Sequence, residues 1–221
     1  MCLHEKLTST AIAREACFLI VFAKMISTKY GEIKLRNLKK KNQKISTSTR
    51  AVVALMTAVV CVLAPFSIPV GVIPVSLATF GLYLAVQILG GKKAVGVCLM
   101  YLLIGFVGLP VFSGFTGGPA KILGPTGGYL AGYLLLTGIA GFFVDKFPGK
   151  RVFCLLGFVF GTIACYVVGT IWLAVQMKVT FGAALLVGVV PFLPGDVLKM
   201  IVASWLGEVV RRRVQRLGYI E

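Results

Sequence analysis

The sequence of 221 residues is 58% hydrophobic and only 14% charged, a composition that excludes an ordinary soluble domain. Its net charge of +16 raises the question of nucleic-acid binding, but the Lys and Arg residues cluster at the ends of apolar segments. A nucleic-acid surface needs instead a basic stripe with interleaved aromatic residues on one folded face. The composition therefore predicts an integral membrane protein, with the basic clusters attracted to anionic lipid headgroups.

Residues 1–45 form a basic N-terminal extension whose composition differs from the rest of the chain. Its apolar run, Ala16–Ala23, is too short to span a bilayer, and no clear small-residue cleavage site follows it. The extension is therefore not predicted to be a signal peptide. Three interpretations stay open: an interfacial helix, a disordered segment, or residues upstream of a true start at Met25.

Residues 46–215 are predicted to form a single membrane domain, followed by a short cytoplasmic tail over 216–221. A spanning helix requires about 20 mostly apolar residues, and the chain after Arg50 has room for about six of them. Helices are favoured over strands because Val95–Ile104 and Val152–Ile163 are apolar on all faces rather than alternating. The fold class is thus an all-α integral membrane protein with transmembrane helices at 51–67, 70–90, 94–112, 126–144, 152–176 and 182–210.

The distribution of basic residues sets the expected topology. Lys and Arg concentrate before the first span, in the second and fourth loops and after the sixth span, whereas the other loops carry only Lys121 and Lys178. Cytoplasmic loops carry the excess of basic residues. We therefore expect a multi-pass protein of the cell (inner) membrane with both termini in the cytoplasm. In this frame Tyr166 and Trp172 are predicted to be packing or interface residues.

The first span contains a step of two small residues, Ala54-Leu-Met-Thr-Ala58. Small residues four positions apart make a smooth helix surface that permits the close approach of a second helix. That second helix belongs either to the same bundle or to a partner, and the residues leave both options open.

A glycine-rich loop joins the third and fourth spans, from Gly108 to Tyr129. Glycines allow backbone to approach a ligand closely, and irregular backbone at membrane depth is tolerated where it lines a cavity. On the outer side this loop is predicted to be a re-entrant segment or a lid, with an ordinary flexible connector as the alternative. Tyr129 and the backbone around Gly127 and Gly128 are candidates for ligand contact, against the alternative of packing at a helix start.

The sixth span carries the most informative residues, because Asp196 and Lys199 interrupt an otherwise apolar run. A charge within the bilayer is costly and by default indicates a binding site or an ion path. The two side chains, three residues apart, lie on one helix face, and Pro191 and Pro194 are expected to break the helix just before them. Both charges are predicted to lie in the outer half of the membrane, near the glycine-rich loop. The alternative is structural: Asp196 caps the helix that restarts after Gly195, and Lys199 neutralises it.

Several chemistries are disfavoured by the residue types present. The cysteines show no C-x-x-C spacing and the only histidine is His4, so no metal site is predicted. The apolar region holds only Asp145, Asp196 and Glu208 as acids and lacks the nucleophile and base pairs of hydrolytic enzymes. It also lacks a G-x-x-x-x-G-K-[ST] loop, so any ATP has to be used by other chains. The protein is therefore predicted not to be an enzyme.

Two motifs in this sequence resemble the BioY family. They are Gly124-Pro125-Thr126-Gly127-Gly128-Tyr129, within Gly108–Tyr133, and Pro194-Gly195-Asp196-x-x-Lys199. The resemblance covers residues 46–215. BioY proteins are biotin-binding substrate-capture subunits (S components) of energy-coupling-factor (ECF) transporters. The resemblance implies high-affinity biotin binding near the outer membrane face, with six ligand-binding residues: Asp196, Lys199, Thr126, Gly127, Gly128 and Tyr129.

The same resemblance implies partners for this chain. Biotin uptake then involves a transmembrane coupling subunit, contacted by Ala54 and Ala58, and two ATPase subunits that use ATP, while this chain binds no cofactor itself. Self-association is a further arrangement that the resemblance leaves open. Two other functions stay open: a substrate-specific subunit for another small vitamin, and a membrane assembly subunit without a ligand.

Overall fold

The computed structural model describes residues 47–70 and 73–217 of the chain. All of them belong to one compact unit, Ser46–Glu221. The predicted N-terminal extension over 1–45, with its apolar run Ala16–Ala23 and the alternative start at Met25, lies outside the described residues. Positions 218–221 of the predicted tail lie outside them as well. The domain boundaries proposed from sequence stay predictions.

Helices dominate the described residues, with one two-stranded antiparallel sheet near their start. The first part of the chain contains an α-helix, the hairpin and two further helices, and the second part is helical, with one very short helix in the glycine-rich loop. The elements are α1 (Thr47–Leu63), β1 (Ser67–Val70), β2 (Ile73–Ser76), α2 (Ala78–Leu89), α3 (Gly91–Phe106), α4 (Pro119–Leu123), α5 (Gly127–Lys146), α6 (Arg151–Met177), α7 (Phe181–Gly188) and α8 (Leu193–Arg216).

Two of the described helices are long and apolar enough to cross a membrane on their own: α5 with 20 residues and α6 with 27. Helices α7 and α8 satisfy the same criterion together, although they meet at a bend of 51°. Helices α1 and α2 are shorter apolar helices. The helical membrane class is thus confirmed, and the predicted span 152–176 coincides with α6, while the number of six spans stays a prediction. The predicted span 94–112 ends earlier, at Phe106, since Gly108 leaves the helical region with φ of 109°.

The second predicted span, 70–90, begins too early. Residues Ser67–Val70 and Ile73–Ser76 pair as an antiparallel hairpin, and the helix begins only at Ala78. The local sequence explains the strands, because β-branched residues favour extended backbone. Pro74 would also leave the interior of a helix without one hydrogen-bond donor and would clash with the preceding turn. Hydropathy did not reveal this preference, because an apolar segment has the same hydropathy whether it forms a strand or a helix.

Helix α2 is the central helix of the domain. Every residue from Gly81 to Leu89 is buried, and α2 packs against α1, α3, α5 and α8.

Helix α6 is buried on one face only. On that face its small residues approach α5 closely: a Cβ on Gly161 would lie 2.8 Å from the carbonyl oxygen of Leu136. The opposite face of α6 is apolar yet exposed, as expected for a surface that contacts lipid. This exposed stripe consists of Val152, Leu156, Val159, Ile163, Val167 and Ile171.

The glycine-rich loop after α3 is held by hydrogen bonds to three parts of the domain. Its backbone N–H groups donate to the carbonyl of Gly105 in α3 (2.7 Å) and to the carbonyl of Pro65 before the hairpin (3.0 Å). The indole N–H of Trp172 in α6 donates to the loop carbonyl of Gly124 (2.9 Å). The ring of Phe112 is fully buried. These contacts tie the loop to the same end of the domain as the hairpin.

Candidate functional site

A small cavity lies between the hairpin, the first turns of α2, α5 and α8, and the C-terminal half of α6. Its volume is about 40 Å³. Hydroxyl-bearing and aromatic side chains make up much of the lining, together with one acid and one base. The lining residues are Ile73, Pro74, Ser76, Thr79, Tyr129, Tyr133, Cys165, Tyr166, Phe192, Asp196 and Lys199.

The local sequence explains why the charged pair lies at this cavity. Helix α7 ends at Gly188 and α8 begins at Leu193, with Pro194 in its first turn, so the helix breaks just before the pair. Asp196 lies in the first turn of α8, where the positive end of the helix dipole favours an anion. Lys199 follows three residues later and therefore lies on the same face.

The Asp196 side chain is buried, with 4% of the residue exposed, and it accepts hydrogen bonds from three side chains. Its Oδ1 accepts from Lys199 Nζ at 2.9 Å and from Thr79 Oγ1 at 3.3 Å, while its Oδ2 accepts from the Tyr166 hydroxyl at 2.5 Å. Among the described residues, α8 begins without a side-chain cap hydrogen bond, and the bonds to this carboxylate come from side chains. Helix capping therefore does not account for Asp196, whose contacts are all to side chains.

The Lys199 ammonium donates to three oxygens. These are the carbonyl of Ser76 (2.8 Å), the hydroxyl of Thr79 (3.3 Å) and Oδ1 of Asp196 (2.9 Å). An ammonium has three donors, so each one has a partner. Because Ser76 is the last residue of β2, Lys199 ties the hairpin to α8. The two charges do form an ion pair, as the structural alternative expects, but a buried ion pair contributes little net stability.

Tyr129 and Tyr133 lie one helical turn apart at the start of α5 and form part of the cavity wall. Both are buried. The Tyr129 hydroxyl donates to the carbonyl of Gly188 at 3.0 Å, which holds the end of α7 against α5. Tyr129 therefore combines an aromatic surface at the cavity with a hydrogen bond that positions the helix before the charged pair.

The other predicted ligand residues do not line the cavity. A Cβ on Gly127 would overlap the carbonyl of Ile122, and one on Gly128 would overlap the side chain of Trp172. Thr126 is the residue that immediately precedes α5. Close packing at the start of α5 is thus the observed role of both glycines. Contact of these three residues with a ligand stays a prediction.

Sequence reasoning missed Ser76, Thr79 and Tyr166 as residues of this site. The prediction that Tyr166 is a packing or interface residue is wrong, because its hydroxyl bonds to the Asp196 carboxylate. The available signal was weak: a hydroxyl group within an apolar segment. Thr79 precedes Asp196 by 117 positions, so only the folded chain identifies it as a partner.

The predicted partner-contact residues lie on a face of α1 that points away from the bundle. Ala54 is exposed and Ala58 is partly buried. Val52, Met56 and Val60 belong to the buried core. Packing within the same bundle therefore does not account for Ala54, and its contact with a partner stays a prediction.

The fold and the site together define a class: a helical membrane protein with one acid and one base buried together at a small internal cavity. The sequence profile of the BioY family matches residues 38–216. The chain belongs to the BioY family, which confirms the resemblance that the two sequence motifs indicate.

Named relatives and a solved structure agree with this assignment. The chain is 34% identical to the biotin transporter BioY2 of Lactococcus lactis over 155 residues, which cover 70% of this chain and 85% of that protein. It is 37% identical to a probable biotin transporter of Pyrococcus horikoshii over 158 residues, covering 72% and 93%. The crystal structure of the S-component for biotin from an ECF-type ABC transporter matches with a TM-score of 0.69 and 32% identity, covering 74% of this chain and 90% of that one.

Proposed function

We propose that this protein binds biotin in the cavity between the hairpin and α8 and mediates its uptake across the membrane as the substrate-specific component of an ECF transporter. The observation that supports this most is the buried, hydrogen-bonded pair of Asp196 and Lys199 in a chain of the BioY family. The match to the solved S-component for biotin over most of both chains supports the same function. A component of this kind captures a solute and is not an enzyme.

The chemistry of the cavity complements that of biotin. The ureido ring of biotin presents two N–H donors and a carbonyl, and its chain ends in a carboxylate. Asp196 offers carboxylate oxygens to N–H donors, and Lys199 offers an ammonium to a carbonyl or carboxylate oxygen. Ile73, Pro74 and Phe192 supply apolar wall for the aliphatic chain. Thr79 and Tyr166 hold the Asp196 carboxylate in position.

Binding of a bicyclic ligand requires the cavity walls to separate. The cavity measures about 40 Å³, against roughly 300–1,000 Å³ for typical ligand pockets. The hairpin is the wall we expect to move. Its bond to α8 runs through the Lys199 ammonium, which donates to the Ser76 carbonyl and which a ligand can also engage. A ligand oxygen that takes over this ammonium would release the hairpin, so that ligand recognition and opening use the same donor.

The exposed alanine face of α1 is the surface we assign to the coupling subunit. Ala54 is exposed and Ala58 is partly buried, so the step presents small side chains at the bundle surface, which suits close contact with another transmembrane helix. ATP is then used by two ATPase subunits bound to that partner. Self-association through the same face is the other arrangement. Purification from membranes that contain the coupling subunit distinguishes the two, because the protein is recovered either with that subunit or with a second copy of itself.

The membrane location is the cell (inner) membrane, with both chain termini in the cytoplasm. Basic residues at the start of α6 and the end of α8 support this orientation under the positive-inside rule. The cavity then faces outward, because the hairpin lies at the other end of these two helices. Labelling of single cysteines placed at residue 217 and in the loop before α5, with a reagent that does not cross membranes, tests the orientation.

Titration of biotin into the detergent-purified protein tests the proposed function. We expect a saturable heat of binding that the same protein does not show with thiamine or riboflavin. Heat with another vitamin and none with biotin would assign the site to that vitamin. No heat with any of them, from monodisperse protein, would favour an assembly subunit.

A ligand analogue can identify which charge meets which end of biotin. Biotin methyl ester keeps the ureido ring but carries no carboxylate. If Lys199 binds the carboxylate, the ester and the Lys199→Met substitution each weaken binding, and combining them adds little further loss. If Lys199 binds the ureido carbonyl, the two losses add.

A further inference from the structure

A second cavity lies at the opposite end of α2, α6 and α8 from the biotin cavity. Its volume is about 140 Å³, and its lining includes Gln87, Arg151, Glu208, Arg211, Arg212 and Gln215. Along α8, Glu208 lies twelve residues beyond Asp196, which corresponds to about 18 Å at 1.5 Å per residue. The two cavities are therefore separate sites.

The second cavity is basic, with three arginines against one acid. Glu208 is buried, and its two carboxylate oxygens accept from Arg151 and from Arg212. Arg211 donates to the backbone carbonyl of Gln87 at 3.4 Å and forms no ion pair within the described residues. A guanidinium has five N–H donors, so each of these arginines has several further donors for an anion.

Gln87 places a buried amide at the wall of this cavity, with an oxygen that can accept a further hydrogen bond. The residue is 4% exposed and lines the cavity, yet its side-chain oxygen Oε1 has no hydrogen-bond partner among the described residues. Helix α8 packs closely on this side chain, because a Cβ on Gly207 would lie 2.6 Å from Gln87 Cγ. Buried polar atoms in folded proteins are almost always paired. The cavity thus combines arginine donors for an anion with an amide oxygen that a rotation of the Gln87 side chain would present to an O–H group.

Apolar surface adjoins the arginines. Val152 follows Arg151 directly and is 68% exposed, and Trp205 and Val209 are exposed on α8 near Glu208. A free inorganic anion makes no use of such surface, whereas the acyl chains of a lipid do. We propose that this cavity binds the phosphate headgroup of an anionic phospholipid, in which a headgroup hydroxyl donates to Gln87. Phosphatidylglycerol has both groups.

Native mass spectrometry of the full chain in detergent, with added lipid, tests the site. Phosphatidylglycerol is compared with phosphatidylcholine, with phosphatidylmethanol, which has the same charge but no hydroxyl, and with soluble glycerol phosphate. For Arg211→Gln we expect roughly ten-fold weaker retention of phosphatidylglycerol, because one charge-assisted contact is lost. The matched control is Arg213→Gln, an exposed position on the same helix outside the cavity, which should retain the lipid as the parent does.

A second variant tests the hydroxyl contact independently. Gln87→Met keeps a side chain of similar length and should abolish the preference for phosphatidylglycerol over phosphatidylmethanol. Gel filtration and circular dichroism check that each variant is folded. Equal loss in Arg211→Gln and Arg213→Gln would overturn the site in favour of general electrostatic attraction. Full occupancy by glycerol phosphate at the same concentration would assign it to a free anion instead of a lipid.

Discussion

Replacement of Lys199 by methionine is the most direct test of the buried pair. The substitution keeps most of the apolar stem and removes the ammonium. The Ser76 carbonyl then loses its donor, and Asp196, which is only 4% exposed, loses its counter-charge. Breaking a buried ion pair costs about 3–5 kcal/mol of unfolding free energy. We expect the lower end of this range, because Thr79 and Tyr166 still donate to the carboxylate.

The same substitution should weaken biotin binding. A hydrogen bond to a charged group contributes about 1.5–3 kcal/mol, which corresponds to a rise in Kd of roughly 10- to 150-fold. Calorimetric titration measures the affinity, and thermal unfolding in detergent measures the stability. Lys92→Met is the matched control: it removes a lysine at an exposed position outside the cavity and should change neither quantity.

A double variant separates binding from stability. Asp196→Asn combined with Lys199→Met removes both charges, so much of the stability lost in the single lysine variant should return. Biotin affinity should stay low, because both recognition groups are gone. Parent-like affinity in the folded lysine variant, or affinity that returns together with stability in the double variant, would refute the assignment and make the pair structural.

Three further predictions concern the buried carboxylate, the packing of α5 and the exposed surface of α1. Tyr166→Phe removes the 2.5 Å hydrogen bond to the buried carboxylate and should lower the unfolding free energy by about 1.5–3 kcal/mol; an unchanged thermal midpoint would contradict this. Gly141→Ala should cost about 1–3 kcal/mol because its methyl group overlaps the backbone of α3. Gly138→Ala, in the same helix with open space around it, should instead raise the unfolding free energy by up to about 1 kcal/mol. The thermal midpoint should therefore fall in the first glycine variant and rise in the second. Ala54→Leu should leave biotin titration unchanged and abolish co-purification with the coupling subunit; persistent co-purification would place the contact elsewhere.

Much of the fold class follows from local signals in the sequence. Hydropathy over 152–176 predicts α6 closely, because a long apolar run between basic residues has one stable form in lipid. The same signal failed over the strands Ser67–Val70 and Ile73–Ser76, which form the hairpin. Hydropathy reports burial in an apolar environment, whereas the choice between strand and helix there depends on β-branched residues and on prolines 69 and 74.

The sequence predicted residues of the candidate site only where a residue type is energetically costly in an apolar segment. Asp196 and Lys199 are evident because charges are rare in apolar segments. The glycines at 127 and 128 were ambiguous, because a glycine serves equally well for close ligand approach and for close helix packing. The folded structure shows the close packing, against atoms of Ile122 and Trp172, while ligand contact stays a prediction.

The sequence by itself determined that the protein is a helical membrane protein of the BioY family with an acid and a base in its last span. Tertiary structure alone decided which groups surround that pair. Thr79 lies 117 positions and Tyr166 30 positions before Asp196, and the hairpin that closes the cavity is bonded to Lys199 across 123 positions. The physical reason is that charge and hydropathy are properties of single residues and short segments, whereas a hydrogen-bond partner depends on how distant segments pack.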